Sequence, residues 1–379
     1  MIKPQGPVCN LDCTYCYYTK KTKELPHEPG FRMSDATLEA LVSQYIGGQP
    51  PEATEVQFAW QGGEPTLLGV AFFERAMTLQ ARYSRPGLRI LNSLQTNGTL
   101  LDDSWGEFLA RNDFLVGLSI DGPKELHDHF RKDHSGRGSF DEVMRGLAVL
   151  KRHRVEFNTL TTIHRANARH GRRVYEFLRS IGSDFMQFIP VVEREPSGAW
   201  SPRSVPSAQY GDFMLQVLER WKAQDVGRVY VSAFEMMIGI LLGLPASLCV
   251  HAETCGRNIA VEHDGSVFRC DHFVFPTHRA GNLREASLSE LVAAPEQIGF
   301  GDAKSKPLPA ECRRCSFVEF CYGGCPARRP GADRPSYLCE GYKRFFSRSL
   351  PTFEAMAAAI RRGGTASDAL RRSNSTSDV

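Results

Sequence analysis

Three cysteines crowd into eight residues near one end of the chain, in the run Cys9-Asn10-Leu11-Asp12-Cys13-Thr14-Tyr15-Cys16. No other feature limits the fold as much, because a short loop of three soft thiolates has to be held around a metal centre by the rest of the chain. Three thiolates on one loop can hold three irons of a cubane [4Fe-4S] cluster. The fourth iron is then open to a small molecule that offers an amine and a carboxylate together. Zinc is the competing metal, since cysteine pairs at x2 spacing are common in its sites, but it takes four tetrahedral ligands or three plus water.

The remaining composition narrows the setting. With 379 residues, 42% hydrophobic and 23% charged, the chain can bury one large core or two moderate ones. No apolar run reaches membrane-spanning length, and Met1-Ile2-Lys3-Pro4-Gln5-Gly6 lacks the apolar core of a signal peptide, so a cytoplasmic protein without a membrane partner is expected. A formal net charge of +3 gives no footprint for nucleic acid, and the basic runs Arg169 to Arg173 and Arg328-Arg329 are expected on solvated faces. Eleven cysteines, an odd number, with no secretion signal point to metal binding rather than a disulfide framework.

Beyond the cysteine loop, strand-like and helix-like segments alternate. Strands are expected at 2–4, 55–60, 88–94, 114–120, 155–163 and 184–190, with helices from the Ser34 cap to Gly47-Gly48 and at 70–83, 103–111, 140–153 and 168–181. Six such units predict parallel pairing through right-handed crossovers, an α/β partial (β/α)6 barrel whose functional loops follow the strands. A Pro-, Ser- and Gly-rich connection at 193–207 leads to helices at 209–224 and 233–242, and then to a cysteine-rich region. The expected division is 1–235 for the barrel with bridging helices, 236–350 for the cysteine-rich domain, and 351–379 for a C-terminal helix and a tail, disordered from 363.

Gly62-Gly63-Glu64 directly follows the second strand, where glycine lets backbone approach a ligand and a carboxylate can receive an ammonium group. Taken with the cysteine loop and Tyr15, this resembles the radical S-adenosylmethionine (SAM) superfamily. The resemblance implies SAM on the open iron, with Tyr18, Gln61, Gly62, Gly63, Glu64, Ser119, Arg131 and Val192 around it and Gln95 facing the peptide substrate. Tyr18 can equally be core packing, the glutamines scaffold, and Arg131 a surface ion pair, while His127, His129 and His134 are expected to be exposed.

A second constellation lies downstream: Cys249, Cys255, Gly265 and Cys270, then Cys312-x2-Cys315-x5-Cys321-x3-Cys325, and finally Cys339. Residues 258–262 and 266–269 read as a hairpin turned by Asp264-Gly265. The spacing is similar to the SPASM auxiliary-cluster domain. With the first three, these eight cysteines account for every cysteine in the chain, enough for three [4Fe-4S] clusters. The resemblance implies Cys249, Cys255, Cys270 and Cys325 on one auxiliary cluster and Cys312, Cys315, Cys321 and Cys339 on the other.

The stretches Gln61 to Leu67, Asn92 to Thr99, Leu118 to Pro123 and Arg131-Lys132-Asp133 narrow the resemblance to the anaerobic sulfatase-maturating enzymes, over about Ile2 to Phe346. It implies oxidation of a Cys or Ser, in a Cys/Ser-x-Pro-x-Arg type motif of an unfolded sulfatase or its peptide, to Cα-formylglycine through a 5′-deoxyadenosyl radical. Asp271 matches the family's proposed base, and by its position it can also cap the hairpin. A flavodoxin or ferredoxin as electron donor and a monomeric state complete the expectation. Related SPASM enzymes that form thioether or carbon–carbon crosslinks share several motifs and remain an alternative, as does a non-enzymatic iron-sulfur or zinc scaffold.

Overall fold

The computed structural model describes residues 1–23, 25, 30–195 and 197–375. Its strands are β1 (Ile2–Lys3), β2 (Glu55–Trp60), β3 (Arg89–Thr96), β4 (Leu115–Ser119), β5 (Phe157–Ile163), β6 (Phe185–Pro190), β7 (Tyr230–Val231), β8 (Ala260–Glu262), β9 (Ser266–Phe268) and β10 (Arg279–Asn282). They fall into two compact units that interleave along the chain: Met1–Ser119, His127–Phe157 and Gly256–Asp302 in one, Ile120–Leu126, Asn158–Cys255 and Ala303–Val379 in the other.

In the first unit the strand order is β10-β9-β8-β1-β2-β3-β4, with β8, β1, β2, β3 and β4 parallel and the β8-β9-β10 ribbon antiparallel. Alternation decides which side of β2 is buried: Val56, Phe58 and Trp60 turn inward, between exposed Glu55 and Gln57. The Asp35–Gly47 helix starts where the Ser34 side chain accepts from the Thr37 amide, and it buries Leu38, Leu41 and Val42 at helical spacing. Trp60, Phe72, Phe73, Trp105, Phe108 and Phe114 make an aromatic centre whose ring pairs meet largely edge to face. The Asp264-Gly265 turn forms as expected, with Gly265 at φ 84°. Its ribbon does more than turn, because β8 pairs with β1 in the register Ile2↔Val261 and Lys3↔Glu262.

The second unit carries parallel β5-β6-β7. A helix at Cys339–Arg361 packs on the one at Ser207–Gln224, and there Gly211 and Gly341 bring the backbones so close that a Cβ on Gly211 would lie 2.5 Å from the Gly341 carbonyl oxygen. That helix passes unbroken through Pro351. The tail expected without structure from 363 is instead helical over Ala366–Ser375, because Thr365 and Asp368 bond reciprocally at its start; residues 376–379 lie outside the described residues. Among the described residues no helix is long and apolar enough to cross a membrane.

Candidate iron-sulfur active site

The cysteine loop is stitched to its surroundings on three sides within the first unit. On one side Gly63 N donates to Gly6 O at 2.8 Å and Glu64 N to Val8 O at 2.9 Å. Gly63 is required here, since a Cβ would sit 1.9 Å from the Val8 carbonyl oxygen. On the second side Asp12 N donates to Lys132 O at 2.8 Å and Thr14 N to Phe130 O at 3.0 Å, which ties the loop to the segment bearing Arg131. On the third, Asn97 Nδ2 donates to Asn10 Oδ1 at 2.8 Å and reaches Cys9 Sγ at 3.7 Å, while Asn10 Nδ2 donates to Thr99 Oγ1 at 2.8 Å.

Glu64 ties the second and third strands together at their ends. Only 1% exposed, its carboxylate accepts from Thr66 N at 3.0 Å, Thr66 Oγ1 at 2.6 Å, Thr96 Oγ1 at 2.7 Å and Asn97 N at 2.8 Å. Burial raises its pKa despite those four donors. Burial and then the Glu64 charge push the Cys9 thiol up to about 12. A thiol so placed gives up its proton to a metal far more readily than to solvent, and N–H donors from Leu11 and Asn97 already face its sulfur. The donor set therefore fits an iron-sulfur cluster, and none of the eleven cysteines forms a disulfide.

Beside the loop lies a charged cluster that sequence reasoning saw only in part. The Lys3 ammonium, on β1, is 2.6 Å from Asp271 Oδ1 and 3.7 Å from the centre of the Tyr18 ring. Tyr17 donates to Asp271 Oδ2 at 2.7 Å, and Tyr18 to Glu262 Oε1 at 2.5 Å. Burial would raise the pKa of Asp271, but Lys3, then His272 and the Tyr17 hydrogen bond, hold it well below the usual carboxylate range. Lys3 and Tyr17 were legible only as flanks of the motif; a lysine in an otherwise apolar first strand was the available signal.

The other expected residues of this unit lie on or just past its strands. Gln61, just past β2, donates its main-chain N–H to Ile2 O at 2.9 Å; Gln95 lies in β3 and Ser119 ends β4. Arg131 is buried rather than on the surface, with its guanidinium 5.6 Å from the centre of the Tyr15 ring. Nor is His127 exposed: it is buried, with Nε2 3.1 Å from Ser139 Oγ. His129 and His134 are exposed as expected. Val192, two residues past β6, belongs to the second unit.

In that second unit Cys312, Cys315, Cys321 and Cys339 line one hollow, walled by Phe317, Tyr342 and Phe346. Burial pushes the Cys321 thiol up to about 11. Four thiols facing one mostly apolar hollow suit a complete cubane ligand set. Cys249, Cys255 and Cys325 also belong to this unit, where their charges act on the buried Lys304, while Cys270 belongs to the first unit beside Asp271. Arg328 and Arg329, expected on a solvated face, are each only 6% exposed.

Residues 4–178 match the model of the radical SAM superfamily, and 249–316 match that of an iron-sulfur cluster-binding domain of SPASM type. The class is thus a radical SAM enzyme with an auxiliary iron-sulfur domain. The serine-type anaerobic sulfatase-maturating enzyme of Bacteroides thetaiotaomicron is 38% identical over 94% of this chain and 90% of its own length. The cysteine-type enzyme of Clostridium perfringens is 36% identical over 95% and 98%. A solved structure of native anSMEcpe with bound AdoMet and Cp18Cys peptide superposes with a TM-score of 0.85 at 36% identity, covering 95% of this chain and 98% of that one. The chain belongs to the anaerobic sulfatase-maturating enzymes, radical SAM oxidoreductases that convert a Cys or Ser to formylglycine and bind SAM and [4Fe-4S] clusters.

Proposed function

We propose that this chain oxidises a Cys or Ser in a Cys/Ser-x-Pro-x-Arg type segment of a sulfatase, with Asp271 as the group that receives the substrate proton. The observation that carries this reading is the Asp271 carboxylate held by the Lys3 ammonium at 2.6 Å and the Tyr17 hydroxyl at 2.7 Å, one residue after Cys270. Cys9, Cys13 and Cys16 would hold the cluster that, with SAM, would supply a 5′-deoxyadenosyl radical able to take hydrogen from the substrate Cβ. Gly62 and Gly63 let the backbone come close to SAM, Gln61, Glu64, Ser119, Arg131, Tyr18 and Val192 contribute to its site, and Gln95 contacts the peptide.

Asp271 would take up a proton from a thiol or hydroxyl on a carbon whose unpaired electron would pass to an auxiliary cluster held by the downstream cysteines. Such a proton is strongly acidic, so a weakly basic but fully ionised carboxylate suffices. The Ser substrate would then become the aldehyde directly, and the Cys substrate a thioaldehyde that water converts to aldehyde with release of hydrogen sulfide. A small one-electron donor such as a flavodoxin or ferredoxin, a monomeric enzyme and a cytoplasmic location complete the proposal. Eleven cysteines held as thiols suit a reducing compartment.

The test is an anaerobic assay of the iron-loaded protein with SAM, reductant and paired Cys-x-Pro-x-Arg and Ser-x-Pro-x-Arg peptides, read by mass spectrometry. Aldehyde at the target position matched by 5′-deoxyadenosine is expected. Deoxyadenosine with neither peptide altered would overturn the substrate assignment.

A further inference from the structure

Two cations are buried among the cysteines of the second unit, and the chemistry above uses neither. Lys304, 0% exposed, donates from Nζ to the Cys249 carbonyl at 2.9 Å and to that of Ala252. Arg329 is held more elaborately. Nε donates to Gly323 O at 3.1 Å, and Nη2 donates to Tyr322 O at 2.9 Å and Gly324 O at 3.2 Å. Those carbonyls converge because Tyr322, Gly323 and Gly324 are all left-handed, at φ 44°, 74° and 70°. Tyr322 adopts that region without glycine's freedom, a strain that the guanidinium bonds offset.

Carbonyl partners satisfy N–H groups but leave the positive charge in place. Cysteine sulfur lies close by. A Cβ built on Gly323 would lie 2.6 Å from Arg329 Nη2 and 3.5 Å from Cys312 Sγ, so guanidinium and thiol flank the same glycine. The cysteines whose charges act on Arg329 are Cys312, Cys325, Cys255 and Cys321, drawn from both auxiliary ligand sets.

We propose that Arg329 is a shared potential-setting residue for the two auxiliary clusters, a fixed positive charge among the ligands of both that favours their reduced state. Reduction adds a negative charge inside a low-dielectric site, where a nearby cation lowers its cost and so raises the potential. Arginine suits the task because its guanidinium carries the charge while donating to all three carbonyls of the turn. A raised potential equips these clusters to take up the electron that leaves the substrate carbon.

The test uses the full chain with Cys9→Ala, Cys13→Ala and Cys16→Ala, so that only the auxiliary clusters report, titrated electrochemically and followed by electron paramagnetic resonance. Arg329→Gln, which removes the charge and keeps donors, is expected to shift the one-electron equilibrium of at least one cluster about tenfold toward the oxidised form, a fall of about 59 mV. Arg329→Lys is expected to keep most of the potential. Equal potentials in all three proteins, or equal shifts in both variants, would overturn the proposal. If Arg329→Gln fails to load iron, loading in Arg329→Lys supports a role for the charge, and loss in both assigns Arg329 to scaffolding alone.

Discussion

Gly63→Ala isolates the closest approach in the active site. The added Cβ would lie 1.9 Å from the Val8 carbonyl oxygen and 2.8 Å from the Pro7 carbonyl carbon. That falls about 1.5 Å short of ordinary contact. Both obstacles are main chain, so no side chain can swing away. Opening the gap strains or breaks the bonds from Gly63 N to Gly6 O and from Glu64 N to Val8 O, each contributing about 1 kcal/mol net. Overpacking adds about 1–3 kcal/mol, for a total near 4 kcal/mol. Because Val8 precedes ligand Cys9, the loss should appear at the cluster before it appears in the fold. Iron content after reconstitution, 5′-deoxyadenosine formation and urea denaturation are the assays, with Gly47→Ala as control, since a Cβ there meets nothing within 4 Å. Expected are a destabilised protein with deficient iron at the Cys9 site and little deoxyadenosine. A Gly63→Ala protein that loads iron fully, cleaves SAM normally and unfolds within about 0.5 kcal/mol of the parent would refute the reasoning.

Asp271→Asn leaves the buried Lys3 ammonium without its counter-charge and should cost about 3–5 kcal/mol in denaturant melts. Because the folded pKa of Asp271 is depressed, its stabilisation is complete above the ordinary carboxylate range and is lost as pH falls through the folded value. The parent should therefore lose more stability than Asp271→Asn below about pH 4, and parallel pH–stability curves would contradict this. Glu64→Gln turns an amide donor toward donors already in place and should lower both thermal stability and iron retention at Cys9, measured on the same samples. Cys339→Ala should remove about four irons per chain while deoxyadenosine formation persists, checked by iron analysis and chromatography.

The parallel strands and their helices were legible because alternation in β2 and the spacing of Leu38, Leu41 and Val42 report burial directly. The cysteine loop was legible because thiolate spacing reports chemistry. What escaped is what depends on distant partners. Arg328-Arg329 reads as a solvated pair by composition, and only the left-handed turn at Tyr322, Gly323 and Gly324 explains why Arg329 turns inward. Lys3 looks like a misplaced charge in a strand until Asp271 is set against it. The helix at Ala366–Ser375 was missed because polarity outweighed the Thr365-x-x-Asp368 start signal.

The pairing of β8 with β1 sets a timetable for the newborn chain. Tyr18 finds Glu262 only across 244 residues of sequence, and Tyr17 finds Asp271 across 254. At ribosomal rates of about 5–20 residues per second, the cysteine loop waits roughly 13–50 s for the segment that completes its surroundings. Closing so long a span is also slow once synthesis ends. Metal delivered to Cys9, Cys13 and Cys16 before then meets a loop still lacking its Lys3–Asp271 flank.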